Sequence, residues 1–108
     1  MKNIIELEAE RMAWSRDTFP EATAISSLRK LETEIKEIEA DILEGVCRPE
    51  EFADALMCLF DAANRHGILP RAIFEAFAVK LEINKSRTWA KNADNSYSHV
   101  KNSNPFAH

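Results

Sequence analysis
Glycine is nearly absent from this chain of 108 residues: there are two, with four prolines, two cysteines and one tyrosine. So few backbone breakers leave long stretches of good helix formers, which favours an all-helical domain over a sheet. No G-x-x-x-x-G-K-S/T motif occurs, so a P-loop nucleotide site is excluded. Cys47 and Cys58 are too few for a disulfide framework and fit a reduced, cytoplasmic protein. Long apolar runs are missing as well, and the opening "MKNIIELEAE" is too charged for a signal segment or a span, so no membrane partner is expected. A net charge of -4 lacks the basic surplus that binding a nucleic acid polymer needs.

What is present is a 45% hydrophobic content, enough for one domain with a core. Asn3 followed by Glu6 predicts a helix over about Asn3 to Ser15, and "DTFPEAT" with Pro20 predicts a connection that brings Trp14 near Phe19. A second helix is expected from Ser26 or Ser27 to Glu44, ended by Gly45, with Leu28, Leu31, Ile35, Ile38 and Ile42 as its apolar stripe. Pro49 suits the first position of a third helix that ends before Gly67. On it Phe52, Leu56, Leu59, Phe60 and Ala63 form one wide apolar face, expected to pack the bundle, and Glu51, Asp54, Cys58, Asp61 and Arg65 form the opposite one. Pro70 opens a fourth helix to about Thr88, with Lys80, Asn84 and Arg87 on one side. The domain is expected over residues 1–90, a four-helix bundle-like arrangement, and residues 91–108, rich in Asn and Ser, as an irregular polar tail. Four helices cover so apolar a third helix thinly, which predicts self-association as a dimer or tetramer.

Charge is unevenly placed. From Glu32 to Asp54 there are nine acids against Lys36 and Arg48, and from Lys80 onward bases predominate. Within the acidic stretch Glu34 and Glu37 lie three apart on the second helix, and Glu51 and Asp54 three apart on the third. That spacing puts each pair on one helical side, and antiparallel helices can gather all four carboxylates. Four such groups repel unless cations sit between them, and hard oxygen ligands select Mg²⁺, with Mn²⁺ as a possible substitute. Mg²⁺ is usually shared with substrate phosphates, so four carboxylates with basic side chains such as Lys80 and Arg87 to contact phosphate point to a nucleoside polyphosphate. Aromatic faces stack on bases, so Trp14 and Phe19 are candidates for a nucleobase platform; Trp14 is an equally good closure for the core.

The stretch "ETEIKEIEADILEGVCRPEEFADAL" resembles the E-x-x-E, spacer, E-x-x-D signature of the MazG-like all-α nucleoside triphosphate pyrophosphohydrolases. "AWSRDTFP", "SLRKLETEIKEIE", "EEFADALMCLFDAANRHGI" and "KLEINKSRTW", in that order, are similar to the small dATP/dGTP pyrophosphohydrolase branch with its phage MazZ-type enzymes. The resemblance implies that Glu34, Glu37, Glu51 and Asp54 hold Mg²⁺, and that Lys80, Asn84 and Arg87 contact phosphates or brace the acids. It implies hydrolysis of a nucleoside triphosphate, by resemblance a purine deoxynucleotide (dGTP or dATP), to the monophosphate and pyrophosphate by metal-activated water. Glu37 is the candidate to orient or deprotonate that water, Lys80 and Arg87 to neutralise the leaving pyrophosphate, and Asp61 a bracing or sugar-contacting group.

A ferritin-like di-iron protein needs Glu-x-x-His pairs, and none exists here. A non-enzymatic helical dimerisation module remains the alternative, with the Leu28 to Ile42 stripe as its seam.

Overall fold
The computed structural model describes residues 1–101. They form four helices, α1 (Ile4–Thr18), α2 (Ala24–Glu44), α3 (Pro49–Arg65) and α4 (Pro70–Ser86), followed by two short strands, β1 (Trp89–Lys91) and β2 (Tyr97–His99). The chain divides into two compact units, Met1–Ile73 and a second that begins at Phe74.

Local chemistry sets the helix ends. Asn3 caps α1 by accepting the Glu6 amide at 2.9 Å, and its side-chain amide donates to Glu6 Oε1 at 2.9 Å. A capping box between Thr23 and Ser26 opens α2, slightly earlier than the sequence suggested. Gly45, at φ 70°, closes that helix in the left-handed conformation that glycine adopts without a Cβ clash. Pro49 starts α3 at its first turn, with Glu50 and Glu51 beside the positive helix end.

The inside of the first unit is more polar than the helical patterns predict. Its buried residues are Met12, Phe60 and Ala62 together with Glu8, Ser15, Ser27, Glu34, Asp41 and Asp61. On α2 the buried residues Ser27, Glu34 and Asp41 recur every seven positions, one side of the helix. On α3 Asp61 of the acidic side is buried and Glu51 half-buried, while Asp54 is exposed, and of the apolar face Phe60 alone is buried. Phe52 (60% exposed), Leu56 and Leu59, expected to pack the bundle, face outward in the single chain, as do Ile35 and Ile42 of the α2 stripe. For these residues the expectation is corrected for a physical reason: ion pairs and hydrogen bonds among buried polar side chains join α1, α2 and α3, and of the apolar face Phe60 is covered while Phe52, Leu56 and Leu59 are exposed.

In the second unit the expected irregular tail is also corrected. Trp89, Ala90 and Lys91 pair antiparallel with His99, Ser98 and Tyr97. The turn uses Asn95 at φ 72°, where Asn is tolerated, and Asp94 accepts the Ser96 amide at 3.0 Å. The Trp89 indole donates to the Asn84 carbonyl at 2.9 Å and stacks edge-on with His99 at 6.1 Å. Residues 102–108 of the expected tail lie outside the described residues. Among the described residues no helix is long and apolar enough to cross a membrane.

Candidate active site
The short connection over residues 45–48 turns the chain so that α2 and α3 run antiparallel. Arg48 ties the turn by donating from Nε (3.0 Å) and Nη2 (2.5 Å) to the two oxygens of Asp41. This fork-to-fork pair holds the Asp41 carboxyl below its ordinary range.

Glu34, Glu37 and Glu51 then each offer an oxygen within 4.8 Å of the others. Glu34 is buried, Glu51 half-buried and Glu37 exposed. Glu34 Oε1 takes an ion pair from Lys30 at 3.2 Å, one turn earlier on α2. Its Oε2 and the Oε2 of Glu51 are buried without a hydrogen-bond partner. A buried acceptor left unpaired costs about 1–3 kcal/mol, and three carboxylates this close repel one another as well. A hard divalent cation relieves both penalties at once, so the donor set fits Mg²⁺ or Mn²⁺. Asp54, the fourth acid of the signature, is exposed and lies outside the cluster of three.

Glu34 also lines a cavity of about 460 Å³, together with Lys30, Asp54, Met57, Cys58, Asp61 and, from α1, the start of α2 and the connection between them, Arg11, Trp14, Ser15, Phe19, Ser26 and Ser27. The cavity thus joins Glu34 and Asp54 to the two aromatics singled out in the sequence. Trp14 and Phe19 meet edge to face with ring centres 5.3 Å apart, and both are largely exposed. Burial and the nearby Glu34 push the Cys58 thiol up, which keeps it protonated and a poor ligand. The Glu34 carboxylate raises the Lys30 ammonium above its ordinary value.

Asp61 sits at the centre of a polar knot. Its Oδ1 accepts from Ser15 Oγ at 2.7 Å and Arg11 Nη1 at 2.9 Å, and its Oδ2 from Ser27 Oγ at 2.6 Å and Arg65 Nε at 2.7 Å. Burial pushes this carboxyl up, but hydrogen bonds from Ser27, Ser15, Arg11 and Arg65 outweigh burial and hold it well below the carboxylate range. Four donors fill the oxygens, which favours bracing over the sugar contact also considered for Asp61. Arg65 continues the knot to the α1–α2 connection, donating to the carbonyls of Ala22 (2.9 Å), Phe19 (3.2 Å) and Ser15 (3.3 Å). Arg11 is held in turn by Glu8, at 2.6 Å from both Nε and Nη2.

Lys80, Asn84 and Arg87 belong to the second unit. Arg87 Nη1 lies 3.5 Å from Asn84 Oδ1, while Lys80 is exposed. Sequence reasoning missed Lys30, Arg11, Ser15, Ser27 and Arg48. The first stands at i−4 from Glu34, a spacing that signals a helical ion pair; Ser27 is a candidate helix start in sequence but lies within α2, and Ser15 sits inside α1 with no local signal to mark it.

Comparison with known proteins bears on this arrangement. A family model described as dATP/dGTP pyrophosphohydrolase matches residues 7–105. A dATP/dGTP diphosphohydrolase of Cyanophage S-2L is 32% identical over 100 residues, covering 93% of this chain and 90% of the relative. A second dATP/dGTP diphosphohydrolase, from Salmonella phage PMBT28, is 35% identical over 88 residues, 81% of this chain but 28% of the longer relative. Among solved structures, the Cyanophage S-2L MazG-like pyrophosphohydrolase bound to dGDP and three catalytic Mn²⁺ ions per active site superposes with a TM-score of 0.76 at 31% identity. That match covers 94% of this chain and the whole of the other.

Proposed function
The chain belongs to the dATP/dGTP pyrophosphohydrolase family, and from that premise we propose that this pyrophosphohydrolase converts a purine deoxynucleoside triphosphate, dGTP or dATP, to its monophosphate and pyrophosphate. The observation that carries the reading is the pair of buried, unpartnered oxygens on Glu34 and Glu51 within a cluster of three carboxylates that shares Glu34 with the cavity. Family membership sets aside the non-enzymatic module.

Glu34, Glu37 and Glu51 hold the divalent cations, and Asp54, one turn from Glu51, completes the set. Mg²⁺ is the proposed physiological ion and Mn²⁺ its substitute, in keeping with the Mn²⁺ of the cyanophage relative. Such ions supply Lewis-acid polarisation of phosphate oxygens and activation of water. Glu37, the exposed member of the cluster, orients the attacking water and accepts its proton. Lys80 and Arg87 are assigned the leaving pyrophosphate and Asn84 a phosphate contact, on side-chain chemistry and family resemblance. Trp14 and Phe19 stack on the base. The free thiols of Cys47 and Cys58 support a reducing, cytoplasmic setting.

Incubation of the purified protein with each dNTP and NTP, in Mg²⁺ or Mn²⁺, tests the reaction. Pyrophosphate and monophosphate should appear fastest with a purine dNTP, and Asp54→Asn should lose most of the turnover. Orthophosphate as the main product would refute the reading. Base–aromatic stacking is worth about 1–3 kcal/mol, so Trp14→Ala should raise KM about tenfold and leave kcat nearly unchanged; an unchanged KM would remove Trp14 from the base site.

The outward apolar side chains support self-association. Leu43 (87% exposed), Ile42 (65%), Phe52, Leu56 and Leu59 lie on α2 and α3, and so many large exposed apolar side chains on two neighbouring helices are what a protein interface covers. A second copy of the chain is the proposed cover, giving a dimer or tetramer. Sedimentation should show the larger species, and Phe52→Glu should shift it toward monomer. A wild-type monomer at micromolar concentration would contradict this.

A further inference from the structure
Three hydroxyls line the cavity, and each has already committed its hydrogen. Ser27 Oγ donates to Asp61 Oδ2 at 2.6 Å, Ser15 Oγ to Asp61 Oδ1 at 2.7 Å, and Ser26 Oγ to the Thr23 carbonyl at 3.0 Å. These directions are forced, because an ionised carboxylate and a carbonyl only accept. Arg11 and Arg65, also bonded to Asp61, keep it ionised. What differs is the remaining capacity. Ser15 Oγ accepts from Arg65 Nη2 at 3.1 Å and Ser26 Oγ from the Thr23 amide at 2.8 Å, whereas Ser27 Oγ accepts from no described residue. Ser27 is 8% exposed, so its free lone pairs are largely shielded from bulk water and are available to a ligand in the cavity.

Its position suits the base end of a nucleotide. Ser27 precedes Glu34 by seven residues on the buried side of α2, about 10 Å along the helix axis at ~1.5 Å per residue. With phosphates at Glu34, a sugar spans the interval. Resting on the reading of this cavity as the nucleotide pocket, we propose that Ser27 is a specificity-determining residue whose Oγ accepts a hydrogen bond from an amine on the base edge. Asp61 acts as a positioning residue by fixing that hydroxyl as an acceptor. A base without the amine leaves the acceptor unpaired, and a site built for a hydrogen bond rejects such an analogue.

The test compares kcat/KM for matched substrates with and without an amine: dGTP against dITP, and dATP against the purine deoxyriboside triphosphate that lacks the 6-amino group. In the wild-type protein, loss of the amine in one of these pairs should cost about 10- to 100-fold. In Ser27→Ala that ratio should collapse toward unity, and Ser27→Thr, which keeps the hydroxyl, should restore it. Each ratio is measured on one preparation, so partial unfolding of a variant cancels. Wild-type ratios near unity for both pairs, or an unchanged ratio in Ser27→Ala, would overturn the assignment. If Trp14→Ala still raises KM in that case, the Ser27 assignment alone fails. If every KM is indifferent to both substitutions, the base lies outside this cavity and the pocket reading fails with it.

Discussion

Glu51→Gln is expected to lower metal-dependent pyrophosphate release by about 10³-fold or more, some 4 kcal/mol of transition-state stabilisation, while making the metal-free protein harder to unfold. The two effects have one origin. Glu34, Glu37 and Glu51 bring oxygens within 4.8 Å of one another, and at an effective dielectric of ~20 two charges at that separation repel by about 3 kcal/mol. Gln keeps the volume and one oxygen, removes a charge, and adds an amide donor for the unpartnered Glu34 Oε2. The metal-free variant should therefore gain about 1–3 kcal/mol, several degrees in Tm. Added Mn²⁺ or Mg²⁺ should stabilise the wild type by mass action and the variant far less. Thermal unfolding with and without metal measures both. A variant less stable than wild type without metal, yet equally stabilised by it, would show that Glu51 is a surface acid.

Asp61→Asn should be the most damaging single change to the fold. Breaking a buried ion pair by removing one partner costs about 3–5 kcal/mol, a large part of the ~5–15 kcal/mol that keeps a domain folded. Here the loss leaves Arg11 and Arg65 with reduced compensation, and the amide of Asn meets the hydroxyl hydrogens of Ser15 and Ser27 and the guanidinium hydrogens with donors of its own. The pH dependence gives a second signature. The Asp61 carboxyl is depressed in the folded state, so its contribution is complete above the unfolded value of about 3.9 and is lost as pH falls through the folded one. The stability gap between wild type and Asp61→Asn should accordingly be constant near neutrality and narrow in acid below about pH 4. Chemical denaturation across that range measures it, and a gap that widens in acid would contradict the assignment.

Much of this was legible along the chain because the signals are local. Asn3, Gly45 and Pro49 mark helix ends through backbone chemistry that operates within one turn, and the observed ends follow them. The pair Glu34 and Glu37 was legible from its spacing by three on α2, whereas the approach of Glu51 depends on how α3 packs on α2, and Asp54, its partner at that spacing, stays outside the cluster. The direction of α3 was not. Periodicity divides Phe52, Leu56 and Leu59 from Glu51, Asp54 and Asp61, but it does not say which side the same chain covers. Here Asp61 is covered through Arg11 and Ser15 of α1 and Ser27 of α2, which no spacing rule connects to it, and through Arg65, one turn on along α3. Ser27 is the clearest case: a helical serine is unremarkable in sequence and becomes informative only once Asp61 has taken its hydrogen. The hairpin at Trp89 to His99 escaped because strands of three residues carry too short an alternation to stand out among Asn and Ser.

The most direct test of the central claim is to let the protein turn over dGTP in heavy-oxygen water with Mg²⁺ and to locate the label. Attack at the α-phosphorus by a water held among Glu34, Glu37 and Glu51 predicts that the label enters the monophosphate, that pyrophosphate is unlabelled, and that chelation of the metal stops both. Label in the pyrophosphate, release of orthophosphate, or turnover that survives chelation would contradict it.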